Sequence, residues 1–436
     1  MPMRRAFRSL PMPWFGVVAI LVSFTVRGSA AWGETAQRYP DSIGYDTLKF
    51  FSPTDRPWPI PFIYSLAGSD SYRVVAQVVI GTLAWGALAW VLATYVKWQR
   101  SAFVATLLLG LTPQVIRYDV AILSESLSIS FAVLAVASTL HRLRVRSPLA
   151  TTWWATSLTL CAMSRPTHLI IVVACLVPVA WRFMATKGKS LTAGSIGMFA
   201  LLLFGVFTIQ QSQHMSLLNL YTVVSSRVVS EDGRFNWFVE RGMPVSDGTR
   251  TATGYDYAND LPQDVASIVQ LPEGQQPPSL MRVGGVQLAR WLQDNGWRTV
   301  VMYLITHPSD TLTHASNLAN ATLNAPNGDF LPLQNGPMIP WSLAGTWQMW
   351  TLVLFACCGV LLVKRSTRQY ASVLLAMFIT TVMIYLATVH TSGIEHVRHS
   401  STVAAIIRVL GLAALTGILP KKSISQIVDE DDERHS

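Results

Sequence analysis

The chain has 436 residues, of which 51% are hydrophobic and only 13% charged, with a formal net charge of +9. A soluble globular domain carries about 25% charged residues, so the composition excludes an ordinary soluble enzyme and reads as an integral membrane protein. The basic residues lie in short clusters between apolar runs, not on a stripe joined to a nucleic-acid-binding fold, so no nucleic-acid partner is expected.

A membrane-crossing helix needs roughly 20 mostly apolar residues. In chain order, the segments 13–31, 74–96, 102–117, 120–140, 149–164, 167–182, 191–210, 344–363, 370–390 and 400–419 meet that description. They predict an all-α polytopic membrane protein with about ten transmembrane helices. "MPMRRAFR" precedes the first span, "KWQR" follows the second, "HRLRVR" the fourth, "RFMATKGK" the sixth, "KRSTR" the eighth, and Lys421 with Lys422 the tenth. Every second connection is therefore basic, as expected of cytoplasmic loops. Both termini are expected in the cytoplasm and the protein in the cell membrane. The first 31 residues also fit a cleaved signal peptide, but Arg27 interrupts the approach to the small residues at 29–31, which favours an uncleaved anchor.

The expected organisation is an N-terminal transmembrane module (1–210) with an outer first loop (33–72), an outer region (211–343), C-terminal transmembrane helices (344–420) and an acidic cytoplasmic tail (421–436). Within the outer region, Val286, Leu288, Ala289 and Leu292 recur near helical spacing and predict helices at the membrane surface. Cys161, Cys175, Cys357 and Cys358 lie in apolar stretches without metal-ligand spacing and read as reduced packing residues.

With this orientation, the ionisable groups outside the basic loops fall towards one side. Asp41, Asp46 and Arg56 are in the first outer loop, and Arg117 and Asp119 at the turn between the third and fourth spans. Glu125 lies roughly 9 Å below that turn at 1.5 Å per residue. Arg165 stands at the next outer turn, and Glu395, His396, Arg398 and His399 form "EHVRH" at the last. Arg408 is further down the final span. A charge inside a span is costly and usually faces a cavity or a partner. The plainer readings are helix–helix pairing for Glu125 and Arg408, snorkelling for Arg165 and Arg398, and an ordinary loop carboxylate for Asp41. The chemical reading is that a carboxylate accepts a proton from a hydroxyl while arginines at headgroup depth hold a phosphate and stabilise its growing charge.

The motifs "YPDSIGY", "DRPWPIPFIYSLAG", "LTPQVIRYDVAILSESLSISFAVLAVA", "SRPTHLII" and "EHVRHSSTVAAIIRVLGLAAL", with "FVERGMP" and "YLITHPSDTL" between, carry a resemblance over most of the chain. It resembles the GT-C superfamily of polytopic glycosyltransferases, nearest the bacterial protein-mannosyltransferase-like group. The resemblance implies a GT-C-like fold and transfer of a sugar from a polyprenyl-phosphate-linked donor to an acceptor hydroxyl on a glycan, lipid or protein. The transfer would be inverting, on the outer face of the membrane. Asp41 matches the first-loop catalytic base, Arg165 and Arg398 match positions near the donor phosphate, and Asp119 and Glu125 match acidic positions of the third-to-fourth span motif. Asp46, Arg56, Arg117, His396 and Arg408 complete the substrate-binding candidates. Relatives often place adjacent acidic residues in the first loop, whereas Asp41 and Asp46 are five apart, so a divalent cation stays an open alternative. His396 stands where relatives often have arginine. The rival readings are a transporter or flippase of a lipid-linked or anionic substrate, and a non-catalytic glycolipid-binding relative. The long outer region and the one-sided charges argue against the transporter.

Overall fold

The computed structural model describes residues 13–48, 56–94, 96–145, 147–171, 174, 213–252, 256–269, 271, 276–324, 344–393 and 395–419. Among them every regular element is a helix, and extended pairing is limited to two isolated bridges, Gln37 with Ala121 and Tyr257 with Pro278. The N-terminal part comprises α1 (Pro13–Ala31), α2 (Pro59–Ala67), α3 (Asp70–Ala93), α4 (Gln99–Gly110), α5 (Pro113–Ile116), α6 (Glu125–Arg144) and α7 (Pro148–Ser164). A middle part follows with α8 (Gln213–Val223), α9 (Asp232–Val239), α10 (Gln263–Val269), α11 (Ser279–Trp291), α12 (Trp297–Thr306) and α13 (Pro308–Leu323). The chain closes with α14 (Trp347–Val363), α15 (Arg365–Thr391), α16 (His396–His399) and α17 (Ser401–Gly417).

Four of these helices, α1, α3, α6 and α15, are long and apolar enough to cross a membrane; α14 and α17 are shorter apolar helices of 17 residues each. The expected span 102–117 is interrupted. α4 stops at Gly110 and Pro113 opens the short α5, because proline supplies no backbone N–H to continue the ladder. The expected span 167–182 begins as a 3-10 turn, Pro166–Leu169. Most of its remainder, the span 191–210, Cys175 and the tail 421–436 lie outside the described residues. Cys161, Cys357 and Cys358 are buried.

Contacts between helix ends group several of the basic connections. Arg144, at the end of α6, donates to the Val91 carbonyl near the end of α3 and lies over the Tyr370 ring near the start of α15. Lys97 N–H reaches the Leu419 carbonyl beyond α17 at 3.2 Å. These basic connections thus share one end of the bundle, while the ends of α1, α7 and α15 and the starts of α6 and α17 share the other. α6 and α17 form the centre. Almost every residue from Ser401 to Ala414 is buried, the pattern of a helix covered on all sides. On α6 the buried small residues Ser126, Ser128, Ser130, Ala132, Ala135, Ala137 and Ser138 allow close helix approach.

The first helix is fixed by a charge. Arg27 is fully buried and donates to both carboxylate oxygens of Asp119, at 2.5 and 2.8 Å, and Ser126 donates to the same carboxylate at 2.6 Å. Gly81 of α3 makes the space: a Cβ there would lie 2.2 Å from the guanidinium.

The middle part has its own core of Leu220, Tyr221, Val224, Phe238, Met281, Leu288 and Leu292. The predicted helical spacing holds for Leu288, Ala289 and Leu292, all buried, with Val286 packed at the margin. α11 is kinked at Gly285 (φ 60°, ψ −166°), backbone that is essentially restricted to glycine. Two wide π turns, Val224–Val228 and Leu292–Gly296, interrupt the helices.

Gly81→Ala is expected to drive Arg27 off Asp119. Breaking a buried pair costs about 3–5 kcal/mol, which thermal unfolding of the purified protein in detergent would read. In an Arg27→Met/Asp119→Leu background the same glycine substitution is expected to lose most of its effect. An equal loss in both backgrounds would show that the guanidinium is not what fills the space.

Candidate active site

The site is built on a seam between the first loop and the segment that enters α6. Residues 120–123 are buried before α6 begins, with Ala121 extended and bridged to Gln37. Gln37 N–H donates to the Val120 carbonyl (2.8 Å) and Ile122 N–H to the Gln37 carbonyl (3.0 Å). The Ser42 hydroxyl donates to the Ile122 carbonyl (2.7 Å), Tyr64 to Leu123 (2.6 Å), and the Gln77 amide to Asp119 and Ala121. Pro40 opens the 3-10 turn Pro40–Tyr45 with its φ preset for a turn. Asp41 is the second residue of that turn and is held beside the first residue of α6, Glu125.

Six side chains meet there. Arg398 is the hub: it contacts Asp41 at 2.8 Å, Glu395 at 2.6 Å and Glu125 at 3.5 Å. Arg56 holds the other Asp41 oxygen at 2.7 Å and lies 5.0 Å from the centre of the Tyr45 ring. Arg165 contacts Glu125 at 2.6 Å and donates to the His399 carbonyl at 3.0 Å. The arrangement balances the carboxylates Asp41, Glu125 and Glu395 against the guanidiniums of Arg56, Arg165 and Arg398. Glu395 adopts a left-handed φ of 56°, a conformation uncommon for a non-glycine residue that is worth about 1–3 kcal/mol of strain. The surrounding ion pairs fasten it there. Arg398 also donates to His399 Nε2 at 3.0 Å.

The electrostatics follow from this crowding. Burial alone would raise the Asp41 carboxyl, yet Arg56 and Arg398 pull it far below the usual carboxylate range. Burial alone would likewise raise Glu395, yet Arg398 and His399 hold it below its ordinary value. Burial would lower Arg398, but Glu125, Asp41 and Glu395 raise it well above its ordinary value. His399 is lowered, chiefly by burial. Asp41 remains partly open, with its side chain 21% exposed, and one Glu125 oxygen has no hydrogen-bond partner.

The sequence candidates therefore divide. Asp41, Arg56, Glu125, Arg165 and Arg398 come together. Asp46 does not: it joins Arg38, Arg73 and Asp70 in a separate, more exposed network. Asp119 is taken up by Arg27, and Arg408 lies elsewhere, donating to the carbonyls of Ala404, Leu323 and Gly345 at 2.7, 3.1 and 3.0 Å. Arg117 opens the turn Arg117–Val120 and is half-buried; the cluster's ion pairs are made without it. His396 shares α16 with Arg398 but makes no hydrogen bond to the cluster. Glu395 and His399 belong to the cluster without having been selected as site residues, although "EHVRH" displays both. A shared cation does not fit Asp41 and Asp46, because arginines neutralise each in a different network. Among the described residues no group of three or more His, Cys, Asp or Glu side chains is arranged to hold a metal ion.

No family model matches the chain, and no curated protein matches it. Among solved structures, the archaeal oligosaccharyltransferase AglB from Archaeoglobus fulgidus, in complex with an inhibitory peptide and a dolichol-phosphate, is similar at 14% identity with a TM-score of 0.41. The match covers 92% of this chain and 50% of that one.

Because the Asp41 and Glu395 carboxyls are depressed in the folded state, their stabilisation is complete above their unfolded values of about 4 and disappears as pH falls towards the folded values. Unfolding of the purified protein followed from pH 6 to pH 3 is expected to show stability falling most steeply below about pH 4. The Asp41→Asn/Glu395→Gln variant, less stable at neutral pH, is expected to show a flatter profile. An unchanged slope would contradict the ion-pair assignment.

Proposed function

We propose that the chain is a GT-C-like glycosyltransferase that moves a sugar from a polyprenyl-phosphate-linked donor to an acceptor hydroxyl at the outer face of the cell membrane. The observation that carries this reading is the junction of Asp41 with Arg398, 357 residues apart in sequence, at 2.8 Å, with Glu125 and Arg165 beside them. It joins a proton acceptor to guanidiniums suited to phosphate, at the end of the bundle opposite the basic loops. By the positive-inside rule that end faces outwards, with both termini cytoplasmic.

In this mechanism the acceptor oxygen attacks the anomeric carbon from the side opposite the phosphate. The new C–O bond forms as the bond to the phosphate oxygen breaks, inverting the configuration. The hydroxyl proton passes to Asp41, and the polyprenyl phosphate leaves with the bonding electron pair. Arg165 and Arg398 stabilise the charge that grows on the leaving phosphate. The arginine clamp makes Asp41 a weak base before substrate arrives. A donor phosphate that draws Arg56 or Arg398 towards itself loosens the clamp and restores basicity where the hydroxyl arrives. The partly exposed Asp41 supports a site open to substrate. The nature of the acceptor is left to the middle part of the chain, which packs beside the site.

Asp41→Asn is expected to lower transfer at least 10²-fold, the lower end of what a positioned base contributes, while the protein still inserts and binds donor. Purified protein with labelled polyprenyl-phosphate sugars measures both. Near-normal turnover would refute the base, and bound but unchanged donor with the unaltered protein would favour a non-catalytic binder. Reporter fusions at Gly44 and Ala185 are expected to report opposite sides of the membrane, with Gly44 outside. The same side for both would remove the basis for an outer-face site.

A further inference from the structure

A second basic cluster lies outside the Asp41 network, and its donors are unsatisfied. Arg227 belongs to the π turn Val224–Val228, which is closed by Val229 N–H on the Val224 carbonyl at 2.9 Å. Such wide turns occur mostly as single insertions, frequently at functional sites. The Arg227 side chain is buried and contacts His390 Nδ1 at 2.7 Å and the Val389 carbonyl at 3.2 Å. A guanidinium only donates, so His390 Nδ1 accepts and the ring proton sits on Nε2. The His314 ring is 5.9 Å from that of His390, and His396 lies close enough for both Arg227 and His314 to influence it. The turn after α15 is pressed onto α8, since a Cβ on Gly393 would lie 2.3 Å from the Thr222 carbonyl oxygen. That contact fixes His390 against Arg227.

Arg227 makes no ion pair among the described residues. The neighbouring carboxylates Asp310 and Glu231 both serve Arg234, at 2.7 and 3.0 Å, and Tyr303 donates to Asp310 as well. Arg227 Nε, His314 Nε2 and His396 Nδ1 are buried without a hydrogen-bond partner, while His390 Nε2 lies within reach of the Thr311 backbone. Burial and the charge of Arg234 lower Arg227 to about 10, which leaves it protonated at neutral pH. Burial and then Arg227 lower His314 to about 4, and burial, His399 and Arg227 lower His396 to about 4. A buried cation without an anion, ringed by unfilled imidazole nitrogens, is costly, and an oxyanion removes that cost.

We propose that Arg227, His314, His390 and His396 form a phosphate-binding site separate from the Asp41 cluster. Nitrogens from the π turn, α13 and α16, with His390 of α15 anchoring Arg227, suit the several acceptor oxygens of a phosphate better than the two of a carboxylate. The phosphate is either free in water or carried on a lipid headgroup. The inference does not depend on glycosyl transfer, because binding is read without turnover.

The test uses the full chain in nanodiscs of phosphatidylcholine alone or with phosphatidylglycerol, titrated with inorganic phosphate while thermal unfolding is followed. A ligand of the native state raises the midpoint in proportion to its occupancy. A phosphate-dependent rise in phosphatidylcholine discs supports a soluble phosphate. A rise on phosphatidylglycerol alone that blocks the response to free phosphate supports a headgroup. In either case Arg227→Gln is expected to weaken binding at least tenfold. Since that variant removes a buried group and could fail to fold, His314→Ala, at a half-buried position, is the second variant, with a loss of about three- to tenfold expected for one hydrogen bond to a charged group. No rise under either condition, or a rise that folded variants leave within twofold, overturns the proposal.

Discussion

A single guanidinium, that of Arg398, holds the first loop, the start of α6 and the turn before α17 in one place. An arginine stays protonated at any physiological pH, so burying it is costly unless acceptors or negative charge are brought to it. Asp41, Glu125 and Glu395 come from three distant stretches of chain and converge on this group. Closing a loop of that length carries an entropic cost, and the cluster exists only once both ends of the chain have met. The same contacts therefore complete the fold and assemble the site.

Charge inside this bundle takes two forms that burial alone does not separate. Arg27 with Asp119, and Arg408 on three carbonyls, are local fastenings: the Asp119 oxygens are filled by Arg27 and Ser126. At the Asp41 cluster Glu125 is as deeply buried as Asp119, but it keeps an unfilled oxygen, and Asp41 is partly exposed. Chemistry belongs where a charged group retains access, and on that criterion the exposed edge of Asp41 makes its cluster the candidate over the Arg27–Asp119 pair.

The sequence displays the elements that depend on local pattern. Apolar runs mark α1, α3, α6, α15 and α17, and the alternation of basic loops groups Asp41, Arg165 and "EHVRH", which the ion pairs bring together. Pairings across long separations were hidden. Arg27 looked like an interruption in a signal-like segment, yet its partner Asp119 is 92 residues away. Asp46 looked equivalent to Asp41, but the 3-10 turn carries the two carboxylates to different arginines. Arg227 offered no spacing signal, because a π turn has no sequence signature and its meaning comes from α15 folding back onto it.

The lacing of residues 37–42 to 120–123 has a consequence for how a bulky molecule enters. Prising that edge apart breaks several interlocking hydrogen bonds at once and disturbs the base of a central helix. The opposite rim rests on the short α16 and on a strained Glu395, where a small backbone rotation releases tension instead of storing it. Under the proposed function, the C-terminal rim is the side that can give way and the N-terminal rim the fixed jaw.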